Sequence, residues 1–130
     1  MESPTHSTAL HEQIIHWKTE VDHVREDVKQ LRHRLEEVAA RDMHPEMLVQ
    51  VECFQNRFIR QLEVADEMFH DLKQVDKHVA RHEGQSPEAA VSRSTAEGNL
   101  RERMQTFNNL FHALRSNFNG FLEKARPVAF

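Results

Sequence analysis

Tyrosine is absent, cysteine occurs once, and only three glycines and four prolines punctuate the 130 residues. Each shortage excludes something. A single thiol, Cys53, has no partner for an intrachain disulfide, so the fold does not depend on disulfide staples. With so few turn-forming residues and no period-2 runs of β-branched or aromatic residues, sheet is not expected. No stretch approaches the roughly 20 consecutive apolar residues that a membrane-spanning helix needs. No apolar core of a signal peptide follows Met1-Glu2-Ser3-Pro4, so a cytoplasmic location is the expectation. Gly-rich phosphate loops, Cys-x-x-Cys pairs and Ser-centred elbows are also missing, and the chain reads as a non-enzyme.

Basic excess is missing too. Lys and Arg number 17 against 21 Asp and Glu, a formal charge of -4 that disfavours nucleic acid as a partner. What is abundant is histidine. Ten of them carry the charge from -4 to +6 if all are protonated, so solubility and assembly are expected to respond to pH near neutrality. The 38% hydrophobic and 29% charged content suits narrow apolar stripes on long solvated helices, and the length suits one domain, residues 1–130.

The apolar spacing is helical throughout. Leu10, Ile14, Trp17, Val21, Val24, Val28, Leu31, Leu35 and Val38 alternate steps of four and three, which is four heptads of a and d positions. This predicts a first helix over about 5–41 with a narrow, coiled-coil-like seam. Asp42-Met43-His44-Pro45 interrupts it, and Pro45 suits the first turn of a second helix, where its missing amide proton has no helical partner anyway. The second helix, about 45–82, carries a wider stripe: Met47, Val51, Phe54, Phe58, Leu62, Ala65, Met68 or Phe69, Leu72, Val75 and Val79. Gly84 suits a helix end, and Ser86-Pro87-Glu88 reads as N-cap, first residue and acidic first turn of a third helix, about 87–125. Leu100, Met104, Phe107, Phe111, Leu114, Phe118, Phe121 and Ala125 mark its buried side, and Pro127 stops it. Residues 89–98 are Ser-rich and weakly patterned, so the first part of this helix is its weak part, with a short separate helix or a frayed segment as the alternative there.

Short connections force antiparallel neighbours, so the predicted fold is all-α, an elongated antiparallel three-helix bundle with coiled-coil-like packing. Folding the hairpins on paper sets Phe54 and Phe58 against Val28 to Leu35, with Phe107 to Leu114 alongside. The opposite end gathers His6, His11, His16, His70, His78 and His82.

That end is the candidate site. His78 and His82 stand at i,i+4 on one helical face, with His16, Glu20 and His70 expected at a similar level, a set able to hold a transition metal such as zinc. Ordinary solvated histidines are the plainer reading, with no cofactor. The two Glu-x-x-His pairs, Glu20 with His23 and Glu67 with His70, have the spacing of di-iron bundle ligands but fall outside the seams, whereas such ligands project inward. His112-Ala113-Leu114-Arg115 and His70-Asp71-Leu72-Lys73 resemble the His-x-Leu-Lys core of histidine phosphotransfer domains. Both depart from it by carrying Ser116 or Gln74 where those domains have Gly, and a third helix has no successor to complete a four-helix bundle.

Leu10-His11, His16-Trp17, Glu20, Val51-Glu52, Phe54-Gln55-Asn56, Phe58 and His70 together resemble a family of uncharacterised small all-helical bacterial proteins, over residues 10–80. The resemblance implies helices and a bacterial origin, and Cys53 departs from it where that family often has His. Gln55 borders the apolar stripe and is expected to make a buried polar contact that fixes register. Leu48, Ile59, Leu110 and Leu122 lie beside the main seams, where three helices do not cover them all. The expected role is therefore protein–protein interaction or scaffolding, with a homodimer or another helical protein as partner and metal sensing as the alternative.

Overall fold

The computed structural model describes residues 6–41, 43–81 and 86–125. Three helices account for it: α1 (His6–Ala39), α2 (Pro45–Arg81) and α3 (Pro87–Lys124). At 1.5 Å per residue, their 34, 37 and 38 residues make rods of about 50–57 Å. The predicted all-α three-helix bundle is the observed fold.

Local chemistry explains the helix ends. α1 runs out at Ala39, and Arg41 N–H donates to the Val38 carbonyl at 3.1 Å, a tightened last turn. His44 then opens α2, its Nδ1 accepting from the Glu46 amide at 3.4 Å and its carbonyl from the Met47 amide at 2.9 Å. Ser86 caps α3 as its spacing suggested: its Oγ accepts from the Ala89 amide at 3.0 Å, with Pro87 in the first turn. Asp42, Gly84 and Pro127 lie outside the described residues.

Side-chain pairs establish an up-down-up course. His11 meets Asp76 and Arg25 meets Asp66, so α2 returns along α1; Asp71 meets Arg103, so α3 returns along α2. Every apolar residue of the first-helix seam is buried apart from the half-buried Leu31. α1 and α2 approach each other most closely. α3 is held off by its own rings, where Phe118 packs edge-on against Phe58 at 5.2 Å and Phe54 at 5.4 Å.

Two expectations about packing need correction. Phe54 and Phe58 face Phe118 and Phe121, further along α3 than Phe107 to Leu114. The pairs Asp71–Arg103 and Phe54–Phe118 have midpoints near Pro87 rather than Gly84, so the rings interlock one to two turns later than loop counting implies. Gln55 is exposed, and the buried amide is Gln61, with only 7% of its surface accessible. α3 is continuous from Pro87. Ala89, Arg93 and Ala96 are half-buried at helical spacing ahead of Leu100, and the Arg93 stem substitutes for the apolar residue that the pattern lacks.

Gly98 and Gly120 sit on the exposed side of α3, and a Cβ at either would meet nothing within 4 Å. Gly98→Ala and Gly120→Ala are each expected to raise stability by about 0.5–1 kcal/mol, through unfolded-chain entropy and helix propensity. Thermal melting checks this, and a lowered midpoint for either would contradict it.

Candidate functional site

The histidines follow from the seams: with the a and d positions taken by apolar residues, they are left to flanks and outer faces. His11 Nδ1 donates to the Asp76 carboxylate across the α1–α2 interface at 2.6 Å. His16 pairs with Glu20 one turn away on α1, at 3.2 Å. His70 is exposed on α2, and His78 lines the groove where α2 meets the start of α3. His82 and the His6 side chain lie outside the described residues. Among the described residues, no three His, Cys, Asp or Glu side chains converge where one ion would be held. The expected set of His16, Glu20, His70, His78 and His82 is thus not assembled as far as it is described. His16 and His33 take carboxylates one turn away on α1, Glu20 and Glu37, whereas His11 reaches across to Asp76 on α2.

The other sequence candidates are equally dispersed. Glu67 lies 3.8 Å from Arg60, His23 is exposed, and Cys53 is exposed beside Phe54. His112 is exposed next to the Phe111 ring, on the last of three helices.

What the fold does assemble is grooves and clasps. Arg25 holds α1 to α2, donating to Asp22 at 2.9 Å and Asp66 at 2.7 Å while its guanidinium covers the Phe69 ring at 4.7 Å. Arg103 reaches Asp71 at 2.7 Å, and Arg115 reaches Asp27 at 3.3 Å, tying α3 to both neighbours. Arg101 lies over the Trp17 ring at 5.4 Å. Because α3 stands off, open grooves run along both its sides. One, of about 840 Å³, lies between α1 and α3 over Leu31, Val38 and Leu122, with Arg34 and Glu37 at its rim. A second, of about 660 Å³, lies between α2 and α3, with Val64, Met68, Phe107 and Leu110 flanked by Arg60 and Glu67.

Large apolar side chains remain in solvent outside these grooves as well as beside them. Leu48 is 47% exposed, Ile59 43% and Leu110 54%, while Leu122 is half-buried. Val49 and Val91 are more exposed still, and periodicity did not single them out, since neither falls on a seam. Three side chains also escaped sequence reading: Gln61 through its amide nitrogen, Arg93 through Nε and Nη1, and Arg25 through Nε have buried nitrogen atoms without a hydrogen-bond partner. Spacing did carry a signal for two of them: residue 61 continues the three-four steps of Val51, Phe54, Phe58, Ala65 and Met68, and Arg93 stands on the α3 seam ahead of Leu100, but both are polar residue types.

No family model, curated protein or solved structure matches this chain.

Proposed function

We propose that this protein is a non-enzymatic interaction or scaffolding bundle that associates lengthwise with a second copy of itself or with another helical protein. The observation that carries the reading is the apolar surface that three helices leave uncovered: Leu48, Ile59 and Leu110 in solvent and Leu122 half-covered. Grooves open to solvent along α3 supply concave surfaces for a neighbouring helix but no water-excluded pocket of the kind that catalysis favours. Among the described residues, no helix is long and apolar enough to cross a membrane. The net charge of -4 disfavours nucleic acid. Metal sensing, the alternative, has no converging ligand set among the described residues to favour it.

Self-association is the first test. The purified chain is expected to sediment as a dimer, and the double substitution Ile59→Glu with Leu110→Glu to sediment as a folded monomer, because a new carboxylate on the associating face would have to be desolvated there. Unchanged sedimentation of the double variant would remove lengthwise packing through these faces.

A further inference from the structure

We infer that the dimer interface is the α2–α3 groove, closed by a second copy of this chain running antiparallel about a two-fold axis beside Val64 and Leu110. This rests on the self-association reading above and adds to it the face, the direction and the residues.

The inference begins with the order of charges on α2. Arg57, Arg60, Val64, Glu67 and Asp71 follow one another at alternating steps of three and four, so they form one stripe beside the buried one. Arg60, Val64 and Glu67 line the groove, and all four charged residues are at least partly exposed. Two positive residues thus precede Val64 and two negative residues follow it. Further out the signs invert, with Glu46 before and Arg81 after, at nearly equal distances along the chain. The stripe is antisymmetric in charge about Val64.

Such a stripe complements itself only in one direction. In an isologous pair with antiparallel α2 helices, Arg57 and Arg60 of each copy face Asp71 and Glu67 of the other, and Glu46 approaches Arg81. Parallel α2 helices would set arginine on arginine and carboxylate on carboxylate. A slip of a turn along the antiparallel stripe still brings Arg60 near Asp71 or Arg57 near Glu67, so the relation does not hang on a single register.

α3 supplies the apolar centre. Asp71 lies level with Arg103, and the same antiparallel course brings Leu110 level with Val64 across the groove. Leu110 is 54% exposed there, above the Met68 and Phe107 side chains of the floor. In the dimer, Val64 and Leu110 meet their counterparts at the axis, so apolar burial supplies affinity while the flanking charges set direction and exclude the parallel alternative. Within one copy these charges already have neighbours, Arg60 with Glu63 at 3.2 Å and Asp71 with Arg103 at 2.7 Å. Their added value across the interface therefore lies in specificity. Ile59 is five residues from Val64, roughly 140° round the helix, and lies off this face.

Charge reversal separates this arrangement from every other dimer. Arg57→Glu with Arg60→Glu makes the stripe wholly negative, and Glu67→Arg with Asp71→Arg makes it wholly positive. Each double variant alone is expected to dissociate, with dimer affinity falling roughly 100-fold or more. An equimolar mixture is expected to recover a dimer, and native mass spectrometry should show it to contain one copy of each. Should the variants prove unfolded by circular dichroism, Val64→Cys in a Cys53→Ser background decides the matter. Mild copper–phenanthroline oxidation should then join two chains through residue 64, whereas Ile59→Cys in the same background should give no such product.

A wild-type dimer whose charge variants remain dimeric alone, or whose mixed variants stay monomeric, overturns this interface and leaves self-association standing. So does a failure of residue 64 to cross-link. A wild-type monomer at tens of micromolar removes both.

Discussion

Phe118→Ala is expected to lower the free energy of unfolding by about 3–5 kcal/mol, the largest effect of any single substitution considered for this bundle. Phe118 is fully buried, and its ring contacts three others: Phe54 at 5.4 Å, Phe58 at 5.2 Å and Phe121 at 6.1 Å. The contacts with Phe54 and Phe58 are edge-on, at interplanar angles of 70° and 78°. Truncation removes the ring's transfer free energy, leaves a cavity, and forfeits aromatic pair terms worth about 0.5–1.5 kcal/mol each. The surroundings have little means of collapse, because α3 already stands off from α1 and α2 on these rings. Total stability for a domain is about 5–15 kcal/mol, so the loss would be a large fraction of it. Urea unfolding monitored by circular dichroism reads the change as a shift in midpoint at constant slope. A loss below about 1 kcal/mol would mean that the aromatic cluster is not what spaces the helices.

Gln61→Leu is expected to act in the opposite direction, raising stability by about 1–3 kcal/mol. Gln61 is 7% exposed among apolar neighbours on α2, and its amide nitrogen has no hydrogen-bond partner. A buried donor left unpaired loses its water without recompense, whereas leucine has similar volume and no polar atom to desolvate. Gln61→Ala distinguishes the causes. It also removes the orphan donor but leaves a void, so it should gain less than the leucine variant or lose stability outright. Paired melting curves of the two variants check this, and a leucine variant less stable than wild type would show that the amide is satisfied in solution. If Gln61 is instead retained because it enforces one alignment of the helices, the leucine variant will be more stable yet heterogeneous in sedimentation.

The sequence was most legible where a signal is local. The seam from Leu10 to Val38 is visible because every fourth or third residue is apolar and those between are polar, which directly states which way each side chain faces. Ser86, Pro87 and Pro45 were readable for the same reason: capping and proline geometry depend on a few adjacent residues. The start of α3 was less legible because Arg93 occupies a seam position, and a residue alphabet marks arginine as solvated even where its stem is packed. Gln61 was missed likewise. Spacing placed Leu62 on the buried stripe, but α2 presents the neighbouring residue to the core and leaves Leu62 half-buried.

From residues alone came the number of helices, their ends within a residue or two, and nearly every member of the apolar core. Tertiary structure alone decided how far along α3 the rings of Phe118 and Phe121 meet Phe54, and which histidine meets which carboxylate. It alone placed Leu110 in a groove between Arg60 and Glu67. The physical reason is one of range. Periodicity and capping are energies between residues a turn apart, so the chain carries them in its order. Axial and rotational register between helices is settled by the interlocking of side chains far apart in sequence, and only the packed bundle contains that information.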